Sequence, residues 1–295
     1  MTTGDAIKLG AEFLQRHGVE SPRLNAEHIL AHIQKVPRLN LYMKWNEPLP
    51  EAEVEKARAL MKRRSAREPL QHLLGTAAFC GNEIEVSRDV LVPRPETEIL
   101  AEMAWLELRG IEGSPALLDF GTGSGCLAIA IATEAPLATI HALDISAAAL
   151  ELARRNAAKN QVQDRIVFHH SDGFKALPAD LRFNVIVSNP PYIPTDEIAG
   201  LQPEVRDFDP HLALDGGADG LNFYRTLASE AGQRLLLGGV LFVEFGLGQE
   251  ESLPALFESH NLVVEAVVPD YTRRARFLRI RLAESGTPPA QAVQS

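Results

Sequence analysis

Apolar positions fall into two regimes along this chain. Up to about residue 71 they recur at helical spacing among charged neighbours, and from Ala116 onward they gather in short unbroken runs. In the first regime, Asp5 to Arg16 sets Ile7, Phe13 and Leu14 among polar residues. Ser21-Pro22 reads as an N-cap with proline at the first helical position, opening RLNAEHILAHIQK. PEAEVEKARALMKRRSARE begins acidic and ends basic, as the helix macrodipole favours. HLLGTAAFC, then Gly81-Asn82, then EIEV predicts two short strands joined by a glycine-first turn. Pro93 and Pro95 then fix an extended loop before a helix. That helix carries Glu96 and Glu98 in its first turn and Thr97 as a capping residue.

In the second regime, strands alternate with helices. ALLDF, ATIHALDI, RIVFHHSD, FNVIVSN, GGVLFVEFG and RARFLRIRL read as strands. GCLAIAIATEA, SAAALELARRNAAKN and GLNFYRTLASEAGQRLL read as helices. This order predicts an α/β fold, a doubly wound Rossmann-like sheet with ligands at the carboxyl ends of its strands. Four segments are expected: a helical domain at 1–71, a β-hairpin and linker loop at 72–95, the α/β domain at 96–284, and a disordered tail at 285–295.

Composition narrows the class. Of the 295 residues 45% are apolar and 23% charged, as in an ordinary globular protein. No apolar run approaches the ~18 residues of a membrane span, so no membrane partner is expected. The start lacks the basic-then-apolar pattern of a signal peptide and the Arg- and Ser-rich pattern of a transit peptide. With Cys80 and Cys126 lying apart as small core residues, a reduced, cytoplasmic setting is expected. His28 and His32 share a helix face but have no third ligand nearby, so they read as a surface pair and no metal is expected. Residues 1–95 hold 14 basic and 12 acidic residues, and residues 96–295 hold 15 and 27. A body with net charge −12 argues against direct nucleic-acid binding, which wants a basic face, and leaves room for a basic protein partner.

Two constellations carry chemistry. DFGTGSGCLAIA follows the first strand of the alternation and opens a helix. Gly121, Gly123 and Gly125, with Thr122 and Ser124 between them, let backbone approach a ligand and leave amides free at a helix N-terminus. Asp144 ends the next strand, 19 residues past Gly125, where a carboxylate can accept ribose hydroxyls. A nucleoside cofactor is therefore expected. GTGSG is GxGxG rather than the dinucleotide GxGxxG, which favours S-adenosylmethionine, a cofactor with an ammonium and no pyrophosphate. Asp119 would answer that ammonium, and Asp172-Gly173 would lie near the adenine. Taken singly, Asp144 is also a helix cap and Asp172-Gly173 also a plain turn.

The second constellation is Asn189-Pro190-Pro191-Tyr192, after the apolar run FNVIV. The prolines end the strand, leaving an amide and a ring on a stiff turn beside the same crevice. A turn of this kind suits a flat NH₂ group. The Asn189 side-chain oxygen accepts one N–H, the Pro190 carbonyl accepts the other, and Tyr192 stacks on the plane. Catalysis would rest on alignment, which can contribute roughly 7–11 kcal/mol.

Taken in order, GTGSG, Asp144 and NPPY resemble a class I S-adenosylmethionine-dependent methyltransferase acting on an amino or amide nitrogen. VPRPETE (92–98), the segment EVRDFDPHLALDGGADGLNFYRTL (204–227) and the N-terminal SPRLNAEHILAHI narrow the likeness to the release factor glutamine methyltransferases, the PrmC/HemK family. The likeness covers about residues 5 to 283. It implies methylation of the glutamine N5 in the Gly-Gly-Gln motif of class 1 peptide-chain release factors, modulating translation termination, with S-adenosyl-L-homocysteine as product. It also implies cofactor contacts at Asp119, Gly121 to Gly125, Asp144, Asp172, Gly173 and Asn189. The glutamine would be held by Asn189, Pro190, Pro191 and Tyr192, of which Asn189, Pro190 and Tyr192 carry catalysis, and the helical domain would grip the release factor. Arg94 and Glu96 would wall the pocket.

Two departures accompany the likeness. Gly173 stands where family members often carry an aromatic over the adenine, which leaves that place to Phe174 or another residue, and PDYTRRARFLRI lacks a glycine before its arginine. Three alternatives stay open: a glutamine methyltransferase of a ribosomal protein, a DNA adenine-N6 methyltransferase, and a non-catalytic protein keeping a nucleoside pocket. The continuation PETE weighs against the first, the acidic body against the second, and an intact NPPY against the third.

Overall fold

A computed structural model describes residues 1–283, so the expected tail lies outside the described residues. The chain divides into two compact units. One is Met1–Ala77 with Val86–Arg88 and Leu201–Asp209, and the other is Ala78–Glu85, Asp89–Gly200 and the chain from Pro210 onward.

The first unit is helical: α1 (Thr3–Arg16), α2 (Pro22–Gln34), α3 (Glu51–Ser65) and α4 (Leu70–Leu74). Thr2 and Asp5 form a reciprocal capping box that starts α1. Pro22 opens α2 as expected, but Ser21 lies in the left-handed region (φ 48°) and its hydroxyl makes no cap bond. Ile7, Leu14, Ile29 and Leu30 are fully or almost fully buried between these helices. Buried Glu27 is held by Arg38 at 2.6 Å, Arg23 at 3.0 Å and the Tyr42 hydroxyl at 2.6 Å. Residues 201–209 belong to this unit through Arg64, whose guanidinium reaches Glu204 at 3.0 Å.

β1 (Thr76–Phe79) and β2 (Asn82–Glu85) form the hairpin. The turn is Cys80-Gly81, not Gly81-Asn82. Both residues have positive φ (46° and 75°), the pairing that matches strand twist in a two-residue hairpin. Residues 72–74 are helical where the first strand was expected to begin, because Pro69 starts a turn that Gly75 ends in the left-handed region.

The second unit holds α5 (Thr97–Arg109), β3 (Ala116–Phe120), α6 (Cys126–Glu134), β4 (Thr139–Asp144), α7 (Ala147–Lys159), β5 (Ile166–His170) and β6 (Phe183–Ser188). After α8 (Pro203–Arg206), which lies in the first unit, come α9 (Asn222–Arg234), β7 (Leu235–Glu244), α10 (Ser252–Glu258), β8 (Leu262–Pro269) and β9 (Ala275–Leu282). The seven-stranded sheet runs β5-β4-β3-β6-β7-β9-β8. Neighbours from β5 to β7 pair parallel, and β9 pairs antiparallel with both β7 and β8. Strand alternation sends Leu117, Val185 and Val240 to a core with α5 and α6, and Leu118, Ile186 and Leu241 to a second core with α9 and α10. β3 lies between β4 and β6, where the winding reverses, so the ends of β3, β4 and β6 border one crevice.

β8 and α10 were not among the expected elements. β8 shows mixed burial at the sheet edge, with exposed Glu265 in its middle, and so lacks the unbroken apolar run of an inner strand.

Candidate active site

Asp119 lies one residue before the end of β3, with no solvent exposure. Its Oδ2 accepts from the Thr122 hydroxyl at 2.6 Å and from the Ala128 N–H at 3.2 Å. Its Oδ1 is buried with no hydrogen-bond partner. Burial pushes the Asp119 carboxyl up to about 7 against those two bonds, with nearby Asp144 adding to the rise. An uncompensated buried carboxylate at a loop mouth is the environment in which a cationic ligand group gains most.

The loop after β3 is fixed from the end of β4. Gly121 and Thr122 both donate their amides to the Leu143 carbonyl, at 3.0 and 2.9 Å. Gly123 N–H goes to Asp144 Oδ2 at 2.8 Å, and Gly125 N–H to the Thr122 carbonyl at 2.8 Å. The expectation of free amides is corrected for four loop positions: those of residues 121, 122, 123 and 125 are engaged inside the protein. What the loop offers instead is open space. A Cβ placed on Gly121 or Gly123 would meet nothing within 4 Å, and both hold positive φ (78° and 54°). Gly125 has a different task, because a Cβ there would lie 3.0 Å from the Ala153 Cβ, where α6 packs on α7. Ser124 is buried, and its carbonyl accepts from Asn156 at 2.9 Å. With four loop amides engaged and one buried Asp119 oxygen unpartnered, the loop suits a ligand that carries an ammonium.

Asp144 Oδ1 accepts the Ser146 N–H at 2.9 Å, and Ser146 itself caps α7 through the Ala149 amide at 3.2 Å. Burial raises the Asp144 carboxyl above the usual range, while the amides of Ser146, Gly123 and Ile145 oppose it. Asp172 follows β5 with an exposed side chain paired to Lys175 at 2.5 Å. Gly173 has φ 64°, and its carbonyl accepts from the Ser171 hydroxyl at 2.6 Å. Phe174 does not replace an adenine cover. Its ring is 1% exposed in the core beneath, with its centroid 4.9 Å from that of Phe120.

The second constellation meets the first through Ser188. Its hydroxyl donates to the Phe120 carbonyl at 2.7 Å, fixing the exit of β6 beside the start of the glycine loop. Asn189 follows. Its Nδ2 donates to the Thr97 hydroxyl at 3.2 Å, and that hydroxyl donates to Glu244 Oε2 at 2.7 Å. Thr97 is thus turned inward at the first position of α5, and α5 has no side-chain cap where one was expected. Glu244 has no exposure at the end of β7, and burial raises its carboxyl above the usual range against the nearby Arg276 charge and the Thr97 bond. Arg276 Nη2 stands 3.3 Å from Glu244 Oε1, close enough for an ion pair but not aligned as a hydrogen bond, since Oε1 has no hydrogen-bond partner.

Pro190 and Pro191 carry the chain to Tyr192, which is held on three sides. Its hydroxyl accepts from Arg276 Nη2 at 2.8 Å, and its carbonyl accepts from Gln249 Nε2 at 3.0 Å. Its ring lies against Gly246, where a Cβ would come within 2.8 Å. The ring is therefore a fixed wall. Thr97, Glu244, Gln249 and Arg276 are site residues that local pattern did not single out. In the sequence Thr97 reads only as a helix cap.

Two domain families match the chain, the PrmC N-terminal domain over residues 5–75 and the methyltransferase small domain over residues 97–200. A release factor glutamine methyltransferase of Geobacter sulfurreducens is 43% identical over 83% of this chain and 84% of its own length. The chain belongs to the release factor glutamine methyltransferase family. A member from Cereibacter sphaeroides is 39% identical over 96% of this chain and 99% of its own. A solved release-factor-specific protein-(glutamine-N5) methyltransferase from Alicyclobacillus acidocaldarius is 28% identical and covers 68% of this chain and 99% of that one, at a TM-score of 0.41. Membership in this family makes the activity class methyl transfer. Among the described residues no helix is long and apolar enough to cross a membrane.

Proposed function

We propose that this chain methylates the side-chain amide nitrogen N5 of the glutamine in the Gly-Gly-Gln motif of class 1 peptide-chain release factors, and so modulates translation termination. The observation that carries the reading is the Asn189 amide. Its Nδ2 is spent on Thr97, which leaves Oδ1 as an acceptor at the carboxyl end of β6. S-adenosylmethionine, when bound, supplies an electrophilic methyl group on a sulfonium.

The residues of this chain bind, orient and exclude. Asp119 Oδ1, buried and unpartnered, receives the cofactor's ammonium. Gly121 and Gly123 would give its amino acid tail room, and Asp144 would accept its ribose hydroxyls. Thr122, Ser124 and Gly125 hold the loop's shape, with Asp172 and Gly173 on the adenine side. At the substrate end, Asn189 Oδ1 and the Pro190 carbonyl each accept one N–H of the glutamine amide. Two acceptors in the amide plane fix both hydrogens there and leave the nitrogen's out-of-plane density free to react. Pro191 stiffens the turn, and the Tyr192 ring walls the amide plane. With the cofactor bound, the nitrogen would gain the methyl carbon as the carbon–sulfur bond breaks, and the surplus proton would leave to water. Catalysis is alignment, with no strong base at the reacting atom. The helical unit, through its own exposed side chains, grips the release factor.

Methyl transfer from labelled S-adenosylmethionine to a purified class 1 release factor tests the reading, with the label located by mass spectrometry. Label on the Gly-Gly-Gln glutamine, lost when that glutamine is alanine, is the expected result. A competent factor that takes no label, while a ribosomal protein or DNA does, would overturn it.

A further inference from the structure

The side-chain chain Asn189–Thr97–Glu244 has a direction. Thr97 has one hydroxyl proton, and a carboxylate can only accept, so at 2.7 Å that proton lies on the Glu244 side. The Thr97 oxygen is then left only lone pairs for Asn189, and at 3.2 Å it receives Nδ2–H. An amide rotated by a half-turn would bring Oδ1 against those lone pairs, two acceptors facing each other without a proton between them. The arrangement is built into the sheet. Ser188 pairs with Val243, which sets Asn189 alongside Glu244 in the next register, and Thr97 at the start of α5 lies between their side chains. Thr97 is 3% exposed and Glu244 0%, so water does not compete for either bond.

We propose that Thr97 and Glu244 are positioning residues that set the polarity of the Asn189 amide, so that it always offers its oxygen, never its NH₂, to the incoming substrate amide. This rests on the reading of Asn189 as the substrate clamp. An asparagine without such a relay can turn either way at little cost. One of its two orientations would then present a donor to a substrate NH₂ and repel it. The relay also gives the buried Glu244 carboxylate a task beyond its ion pair with Arg276. Glu244 does not reach the substrate, since its Oε2 is occupied by Thr97 and its Oε1 faces Arg276.

The test compares Thr97→Val, Thr97→Ser, Glu244→Gln and Asn189→Ala in the full chain, by steady-state kinetics with a release factor and by calorimetric binding of S-adenosylhomocysteine. Losing the oriented hydrogen bond lowers kcat by roughly tenfold or more in Thr97→Val, and Glu244→Gln, which keeps one acceptor oxygen for the Thr97 hydroxyl, falls between Thr97→Val and the wild type. Thr97→Ser restores the hydroxyl and recovers most of that rate. Binding of S-adenosylhomocysteine stays at the wild-type level in all three, whereas a merely structural role would move thermal stability and cofactor binding together. Independently of activity, nitrogen-15 NMR of the Asn189 side chain should show one Nδ2 proton protected from exchange in the wild type and in Thr97→Ser, and exposed in Thr97→Val. Wild-type kcat in Thr97→Val, with Asn189→Ala dead, would overturn the relay and leave the clamp standing. An active Asn189→Ala would overturn the clamp itself. Equal loss in Thr97→Ser and Thr97→Val, or protection that persists in Thr97→Val, would also overturn the relay.

Discussion

Asp144 holds Gly123: the carboxylate at the end of β4 accepts the Gly123 amide at 2.8 Å while its other oxygen accepts Ser146 N–H at 2.9 Å. One side chain therefore shapes the loop after β3 and the entry to α7. Asp144→Ala should loosen the loop as well as remove an acceptor for the cofactor. Hydrogen bonds to charged groups contribute about 1.5–3 kcal/mol, so S-adenosylhomocysteine affinity should fall roughly tenfold to a hundredfold. Asp144→Asn, which keeps one acceptor oxygen, should fall between. Calorimetric titration of the three proteins decides; equal affinity in Asp144→Ala and wild type would refute the role.

Asp119 gives the cofactor site a pH dependence. Its folded carboxyl, raised to about 7 by burial, keeps its proton where the unfolded aspartate has already lost it. Between about pH 4 and 7 the folded state therefore binds the extra proton, and this group's contribution to stability declines as pH rises through that window. A cationic ligand beside Oδ1 needs the ionised form, so binding releases a proton and tightens as pH rises toward 7. The expected slope is up to about tenfold in affinity per pH unit, levelling off above the folded pKa. Asp119→Asn should bind weakly with a flatter profile. Any slope that remains in it belongs to Asp144, whose carboxyl burial also raises. An identical slope in wild type and Asp119→Asn would remove Asp119 from the account.

What the sequence revealed and what it hid follow from range. β3, α6, β4 and α7 were legible because Gly121, Gly123, Gly125 and Ser146 punctuate the chain where apolar runs begin and end. The placement of NPPY beside the glycine loop followed from strand order alone. The Thr97–Glu244 bond was not legible, since its partners lie 147 residues apart and such a contact leaves no local periodicity. Edge strand β8 escaped notice because its apolar residues are interrupted by Glu265, which pairs across to Arg279 and Arg281 of β9 at 2.9 and 2.8 Å. The engaged amides of the glycine loop depend on the Leu143 carbonyl and Asp144, a tertiary fact that a GxGxG pattern cannot carry.

Two glycines of one loop should respond differently to alanine. Gly125→Ala adds a Cβ 3.0 Å from that of Ala153 at φ 81°, so crowding and backbone strain combine. Its cost should be about 2–4 kcal/mol in unfolding free energy, read from urea midpoints. Gly123→Ala meets no atom within 4 Å and carries only the left-handed strain of about 1–2 kcal/mol. Its new methyl enters the open side of the loop, so cofactor affinity should fall more than stability does. Binding that is hurt more by Gly125→Ala than by Gly123→Ala, after correction for the unfolded fraction, would contradict this division.

Within the helical unit, Arg64 ties three pieces of chain together. Its guanidinium donates to Asn25 Oδ1 at 2.8 Å, the Glu68 carbonyl at 3.1 Å and Glu204 Oε1 at 3.0 Å, with the side chain 8% exposed. Arg67 Nη2 meets the second Glu204 oxygen at 2.6 Å. Burial works against the Glu204 charge, but the Arg67 ion pair and the Arg64 hydrogen bond outweigh it and hold the carboxyl below its usual range. A depressed carboxyl contributes stability above its unfolded pKa and loses it as pH falls through the folded value. Arg64→Ala should cost about 3–5 kcal/mol, because it strands buried polar atoms on Asn25 and Glu204. Glu204→Gln should cost less at neutral pH, keeping the shape and one acceptor. It should also flatten the loss of stability on the acid side, where the wild type must protonate this group to unfold. Urea unfolding of the three proteins at pH 7 and pH 4 distinguishes the cases. Should Arg64→Ala cost no more than an exposed arginine such as Arg58, the guanidinium is not holding residues 201–209 to the helices.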